Sequence, residues 1–381
     1  MFPSHRNFKI VLLGLSLAHL LGFMIGQITN SLGIRGYLYS DGSPVGADFI
    51  NLWSSARMVL AGRWGEIYVP DAFMAYQLDF IGSPIGHRVW AYPPTTLLFS
   101  WPFGLLGFYP ALLAWSVLGL AVLWYGARRF GFDGLEIAII LTSPATVLCV
   151  YGGQSGSLFT GLMLIALAAG RVSGGGAGLA ASLLTMKPQS GFLLPLLWLF
   201  QKRWRAIAVA AVGGLSLALA SLMIFGSAAW LDYAGKTLPE LSLLEKTGHG
   251  LFTLMIPSTF MAVRILTGDG DLAVIIHGIA AVLVGIVLIV RLRAVLDPMR
   301  RAAMVLIATV LMTPYMHNYD LALLLCAALL IARRPGNSKF GPLGLNGLVV
   351  MAWGLPQLVI GLNAVGLPIS PLLILPLLFL A

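Results

Sequence analysis

An all-α polytopic membrane protein, a bundle of about twelve transmembrane helices, is the fold class this 381-residue chain predicts. Three observations predict it. Hydrophobic residues make up 59% and charged residues only 10%, against about 25% charged in soluble domains. Mean hydropathy is +0.91, more apolar surface than a water-soluble fold hides. The basic residues also fall in clusters at intervals that suit membrane crossings.

Those clusters are Arg6/Lys9, Arg128/Arg129, Arg171, Lys202/Arg203/Arg205, Arg291/Arg293/Arg300/Arg301 and Arg333/Arg334/Lys339. Lys and Arg collect in cytoplasmic loops, so placing all six clusters inside fixes the direction of every crossing. Outward spans then lie near 8–29, 135–150, 175–188, 204–226, 302–315 and 343–361. Inward spans lie near 109–127, 155–170, 189–201, 271–291, 318–332 and 366–381, with both termini inside. The net charge of +9 follows from this topology and implies no nucleic-acid partner. The first span has no small-residue cleavage site after it and reads as a retained anchor. Cys149 and Cys326 both lie in apolar runs and suggest neither a disulfide framework nor a zinc site.

Two apolar pieces do not fit as crossings. Residues 93–107 (PPTTLLFSWPFGLLG) are shorter than the roughly 20 residues a span needs. Counting either 93–107 or 251–266 as a span also throws basic clusters outside. Both read as re-entrant or interfacial helices. The chain is thus one integral membrane domain, 1–381, with two long outer segments, 30–108 and 226–270. The first carries Gly, Pro and Asp punctuation that suggests short helices joined by turns. Eleven of the 14 acids then face outward, leaving Asp133, Glu136 and Asp297 inside.

Five polar points converge on the outer face. They are Asp48 after the first span, Tyr92-Pro93-Pro94, Gly152-Gly153-Gln154-Ser155, Lys187-Pro188-Gln189 and Met316-His317-Asn318-Tyr319-Asp320. Ionisable groups at membrane depth are costly and usually face a polar cavity, so the convergence suggests one outward-facing site. Each point also has a plain structural reading. Asp48 suits a helix N-cap, with Asn51 near the third helical position. Tyr92-Pro93-Pro94 suits a helix start, Gly152-Gly153-Gln154 a turn, Lys187 a snorkelling lysine, and His317 an interface residue. Trp53, Trp90 and Tyr92 suit either sugar stacking or interface anchoring. Glu66, Asp71 and Asp79 read as solvated loop charges. No zincin, P-loop or dinucleotide fingerprint occurs, and no acidic cluster suggests a metal; no cofactor is implied.

The order of motifs is itself informative. After the first span come GADFINLWSSARMVLAGRWGEIYVP, WAYPPTTLLFSWPFGLL, GGQSGSL, LLTMKPQSGFLLPLLWL and MTPYMHNYDLALLL. Together they resemble glycosyltransferase family 87, membrane mannosyltransferases of the GT-C superfamily, over residues 8 to 335. The resemblance implies a GT-C helical bundle whose first outer loop carries the catalytic acid. It implies a polyprenyl-phosphate sugar donor, commonly mannose, and a lipid or glycan acceptor in cell-envelope glycolipid synthesis. Carried over by position, Asp48 matches the family's catalytic aspartate. Lys187 and His317 match polar positions near the donor phosphate, and Tyr92, Pro93 and Pro94 match a cavity-shaping segment. Arg57 and Arg88 are further candidates for charge-assisted bonds to the phosphate. Gln154, Gln189, Asn318 and Tyr319 are candidates for the substrate pocket. The expectation is a multi-pass protein of the inner (plasma) membrane, its active site on the extracytoplasmic side. One departure is at Ala381, inside the last predicted span, where family members often continue.

Two rival functions fit the composition. A flippase for lipid-linked sugars, or a small-solute transporter, predicts paired broken helices and ionisable groups near mid-span; here the polar residues cluster at outer ends. A scaffold without chemistry leaves Asp48, Lys187 and His317 replaceable.

Overall fold

A computed structural model describes residues 5–168, 170–333 and 341–381. Arg334 and Lys339, the tail of the last basic cluster, lie outside the described residues. Among the described residues the fold is helical, without a strand. Helix α1, His5–Ser31, is followed by an outer segment holding α2 (Phe49–Leu60), α3 (Pro70–Ile81) and the single turn α4 (Leu97–Ser100). Then come α5 (Phe108–Phe130), α6 (Gly134–Thr142), α7 (Pro144–Tyr151), α8 (Gly156–Leu167), α9 (Gly174–Leu183) and α10 (Leu194–Phe200). The chain continues through α11 (Trp204–Asp232), α12 (Leu238–Thr247), α13 (Leu251–Leu254), α14 (Thr259–Thr267) and α15 (Gly270–Ala294). It closes with α16 (Pro298–Met312), α17 (Ala322–Ala332), α18 (Gly341–Ala364) and α19 (Ser370–Leu380).

Among the described residues five helical stretches are long and apolar enough to cross a membrane, and α6 with α7 makes a sixth if that pair is one span. The pair bends by 46° where Ser143 caps α7 and Pro144 takes its first position, which ends the hydrogen-bond ladder of α6. Of the remaining predicted crossings, five coincide with shorter apolar helices, such as 156–167 and 174–186, and 302–315 falls mostly on α16. After the stretch 174–186, Lys187 interrupts the backbone at φ −140°, ψ 74°, just before Pro188. A similar break at Gly226, φ 81°, kinks α11, which otherwise runs on past the membrane-length stretch the hydropathy predicts. The stretch 251–266 folds as the single turn α13 and the helix α14.

Packing in the bundle relies on small residues. A side chain on Gly126 of α5 would meet the Gly161 carbonyl of α8 at 2.3 Å, and one on Gly161 would meet the Val122 carbonyl at 2.4 Å. The two backbones therefore touch, as small-residue helix contacts in membranes allow. Helix α17 is buried along its entire length and forms the centre. At one end of the bundle Glu136, fully buried, accepts from Lys9 at 2.8 Å and from the fork of Arg333. Lys9 also reaches Asp133 at 2.7 Å. This network ties α1, the start of α6 and the end of α17 together.

The outer segment builds an apolar core of its own, separate from that of the bundle. Phe49, Ile50, Trp53, Tyr68, Phe73, Trp90 and Leu97 form it with Phe108 of α5. Trp53 meets Phe80 and Phe108 edge-on at 5.3 and 5.5 Å, a favoured aromatic geometry, while its indole N–H donates to the Leu106 carbonyl at 3.1 Å. Residues 94–105 are three successive short helical turns. They lie against α2, where Gly104 sits so close that a Cβ would be 2.8 Å from the Ala56 carbonyl. Aromatic burial rather than a long helix therefore fixes the platform on which α2 is presented.

Candidate functional site

Asp48 heads α2 but does not cap it. The turn before it needs left-handed backbone at Gly46 and Ala47, φ 67° and 40°. Asp48 itself is already helical, φ −84°, ψ −2°, and its side chain accepts no backbone N–H. The carboxylate is used elsewhere. Oδ1 accepts from Arg88 Nη1 and Oδ2 from Gln154 Nε2, each at 2.6 Å. The Asp48 side chain remains half exposed and Arg88 mostly covered. Three candidates scattered over 106 residues of chain thus meet at one carboxylate.

A glycine permits that meeting. Gly153 has φ 56°, and a Cβ there would lie 2.4 Å from the Phe49 Cβ and 2.9 Å from the Gly46 carbonyl. The turn 152–154 can therefore lie directly on the entry to α2, with Trp115 Nε1 donating to the Gly153 carbonyl at 3.0 Å. Gly153→Ala is expected to cost about 1–3 kcal/mol of stability through overpacking and strain and to withdraw Gln154 from Asp48. A lowered thermal midpoint checks it; an unchanged protein would show that the close approach is dispensable.

A second ion pair lies deeper. Lys187, in the break between the turns Leu184–Met186 and Pro188–Ser190, donates to both oxygens of Asp320 at 2.7 and 2.9 Å. Both side chains are nearly covered, 10% and 6% exposed. The ammonium also lies 5.8 Å from the Phe159 ring centroid and 5.9 Å from that of Tyr319, positions that favour a cation. Asp320 ends the tight turn Asn318–Asp320. That turn presses on the start of α8, where a Cβ on Gly156 would be 2.7 Å from the Tyr319 carbonyl and 2.9 Å from Asp320 Oδ1. His317 stacks on Tyr319 at 5.0 Å and 7° and faces Phe252 at 5.3 Å. Burial pushes its imidazole below the usual range, against the raising influence of Asp320, which favours the neutral ring.

Tyr92 joins the two pairs. Its hydroxyl shares a 2.6 Å hydrogen bond with that of Ser155, and its ring packs against Trp90 and Phe159. Ser155 follows Gln154, the partner of Asp48; Phe159, beside the Tyr92 ring, also lies under the Lys187 ammonium, and His317 stacks on Tyr319, so the contacts gather the five groups into one polar basin. Pro93, extended at ψ 163°, turns the chain into the Pro94–Thr96 turn. There Thr96 Oγ1 donates to the Met186 carbonyl at 3.4 Å, tying the loop to the neighbour of Lys187.

Other expected residues lie differently. Arg57 is exposed on α2 with its guanidinium 5.5 Å over the Trp53 ring; it joins neither ion pair. Asn318 is fully buried and donates to the Pro356 carbonyl at 2.9 Å, bracing α18. Gln189 is half buried in the turn after Lys187. Two partners went unassigned in the sequence, Asp320 and Ser155. The signal for Asp320 was available: it lies at the outer end of a predicted span and ends a quoted motif.

The basin gathers a half-exposed carboxylate, a buried ammonium, an imidazole and aromatic faces. A family model, glycosyltransferase family 87, matches residues 90–314. No curated protein and no solved structure matches the chain. The matched stretch contains Tyr92, Gln154 and Lys187, and the fold carries Asp48, Arg88, His317 and Asp320 from outside it onto those residues. With more than half its length matched, this helical, membrane-type chain belongs to glycosyltransferase family 87 and is a glycosyltransferase.

Proposed function

We propose that the chain transfers one sugar, mannose by family expectation, from a polyprenyl phosphate to a hydroxyl of a lipid or glycan acceptor at the extracytoplasmic face. The observation that carries this reading is the carboxylate of Asp48, held at both oxygens by Arg88 and Gln154 yet half open to solvent. In the reaction the acceptor O–H proton passes to Asp48 as general base. The acceptor oxygen bonds to the anomeric carbon, and the bond from that carbon to the phosphate oxygen breaks on the opposite face. The electron pair leaves with the phosphate, and the configuration inverts.

Arg88 and Gln154 fix the carboxylate so that a lone pair faces the acceptor. Lys187 keeps one N–H beyond those given to Asp320, and that proton answers the charge growing on the phosphate. The neutral His317 ring donates a hydrogen bond to the same oxygen. Charge prepared in a covered basin acts more strongly than in water. Tyr92, Trp90 and Tyr319 supply faces for the sugar. The outer platform of α2 to α4 and the turns at 94–105 line the way in for the polyprenyl chain.

Membranes containing the protein, supplied with radiolabelled polyprenyl-phosphate mannose, are expected to move label into a chloroform-soluble or glycan product. Label that stays on the donor with every acceptor fraction, while sugar-lipid crosses the bilayer, would favour a flippase instead.

A further inference from the structure

Away from the basin, a cleft of about 470 Å³ opens between the turn at Gly170, the turn before α11 and the start of α16. That size falls within the range of small-ligand pockets, about 300–1,000 Å³. Its walls include Lys202, Arg203 and Arg301, and among the described residues none of the three is paired with a carboxylate. Arg301 is only 7% exposed. Its guanidinium donates to the Val295 and Leu292 carbonyls at 2.6 and 2.7 Å through Nε and Nη2, which leaves Nη1. Arg203 likewise donates only to carbonyls, those of Ala166 and Val172, and lies 5.8 Å from the Trp198 ring centroid. Asp297, next to the cleft in sequence, spends Oδ1 on the N–H groups of Met299 and Arg300.

Two local features run against ordinary preference. Arg203 occupies the cap position of α11 and no side chain caps that helix, although a cation at a helix N-terminus is unfavourable. Lys202 takes a left-handed backbone, φ 54°, which turns the chain at the rim of the cleft. Both features make sense if an anion sits there, since free N–H groups and three cations would face it together. The depth also fits. Trp204, at the next position, is 61% exposed, as residues at a membrane–water interface are. The apolar lipid-facing stretch of α11 begins just beyond it.

We propose that this cleft binds the phosphate group of an anionic phospholipid at the rim opposite the catalytic basin. A lipid phosphate there would fix the Gly170 turn, the head of α11 and the head of α16 against one another. The binding is separate from sugar transfer and does not rest on the proposed chemistry.

The test uses the full chain in nanodiscs of phosphatidylcholine with and without phosphatidylglycerol, followed by native mass spectrometry of the retained lipid. Wild type is expected to keep phosphatidylglycerol in preference to phosphatidylcholine. Lys202 donates to no described side chain, so Lys202→Gln leaves the fold intact and is expected to lower that retention about fivefold, Lys202→Glu further. Millimolar inorganic phosphate that binds with the same Lys202 dependence, while no lipid is enriched, would keep the phosphate site and name a soluble source. Equal retention by wild type and both variants, or equal retention of the two lipids without Lys202-dependent phosphate binding, would overturn the proposal.

Discussion

Asp48→Asn is expected to lower the transfer rate by about 10²–10⁴-fold, the range a positioned general base contributes, while the protein stays folded. The substitution is nearly isosteric. The amide oxygen still accepts from Arg88, and the Gln154 amide can turn over to present its own oxygen to the new N–H₂. Because the side chain caps no backbone N–H of α2, the helix loses nothing. What disappears is the negative charge and the ability to take the acceptor proton. Asp48→Glu separates these two roles from position. It keeps charge and basicity but moves the carboxylate by about one bond length, and a misplacement of about 1 Å costs on the order of 10²-fold. The measurement is the initial rate with saturating labelled donor, with the melting profile as a control. Wild-type rates from the Asn variant would remove Asp48 from the chemistry and leave its bonds to Arg88 and Gln154 as structural.

Different parts of this molecule were legible in the sequence to different degrees, and the reason is range. The helical segments follow from hydropathy and from breakers beside them, such as Pro144, Pro188 and Gly226, because those act within a turn. The position of Asp48 at the head of a short helix after the first span is local as well. Its partners are not. Arg88 reads in sequence as one more cation available to a phosphate, yet the fold gives it to Asp48, 40 residues away. Gly152-Gly153 reads as a turn; that Gly153 is also demanded by the Phe49 side chain depends on how α7 meets α2. The outer segment predicted short helices, but its aromatic core of Trp53, Phe80 and Phe108 arises only when residues 27 and 55 apart meet. Asp320 stands out in its motif, but its cation lies 133 residues earlier, and only the fold pairs them.

The Lys187–Asp320 pair carries the second large expected effect. Removing one member of a buried ion pair leaves its partner charged without compensation, at a cost of about 3–5 kcal/mol. Lys187→Met and Asp320→Leu should therefore each lower the thermal midpoint sharply and abolish transfer. The double variant distinguishes stability from function. Apolar replacement of both partners is often neutral or stabilising, and the surroundings here are already apolar and aromatic, with Phe159 and Tyr319 beside the ammonium. The double variant should regain most of the lost midpoint and none of the activity, because the N–H offered to the phosphate is gone. Midpoints of the three variants in one detergent, set beside transfer rates in membranes, decide the matter. A double variant that recovers transfer along with its midpoint would show that Lys187 serves only to neutralise Asp320. The leaving phosphate would then have to be stabilised by His317 and the basin's remaining hydrogen-bond donors.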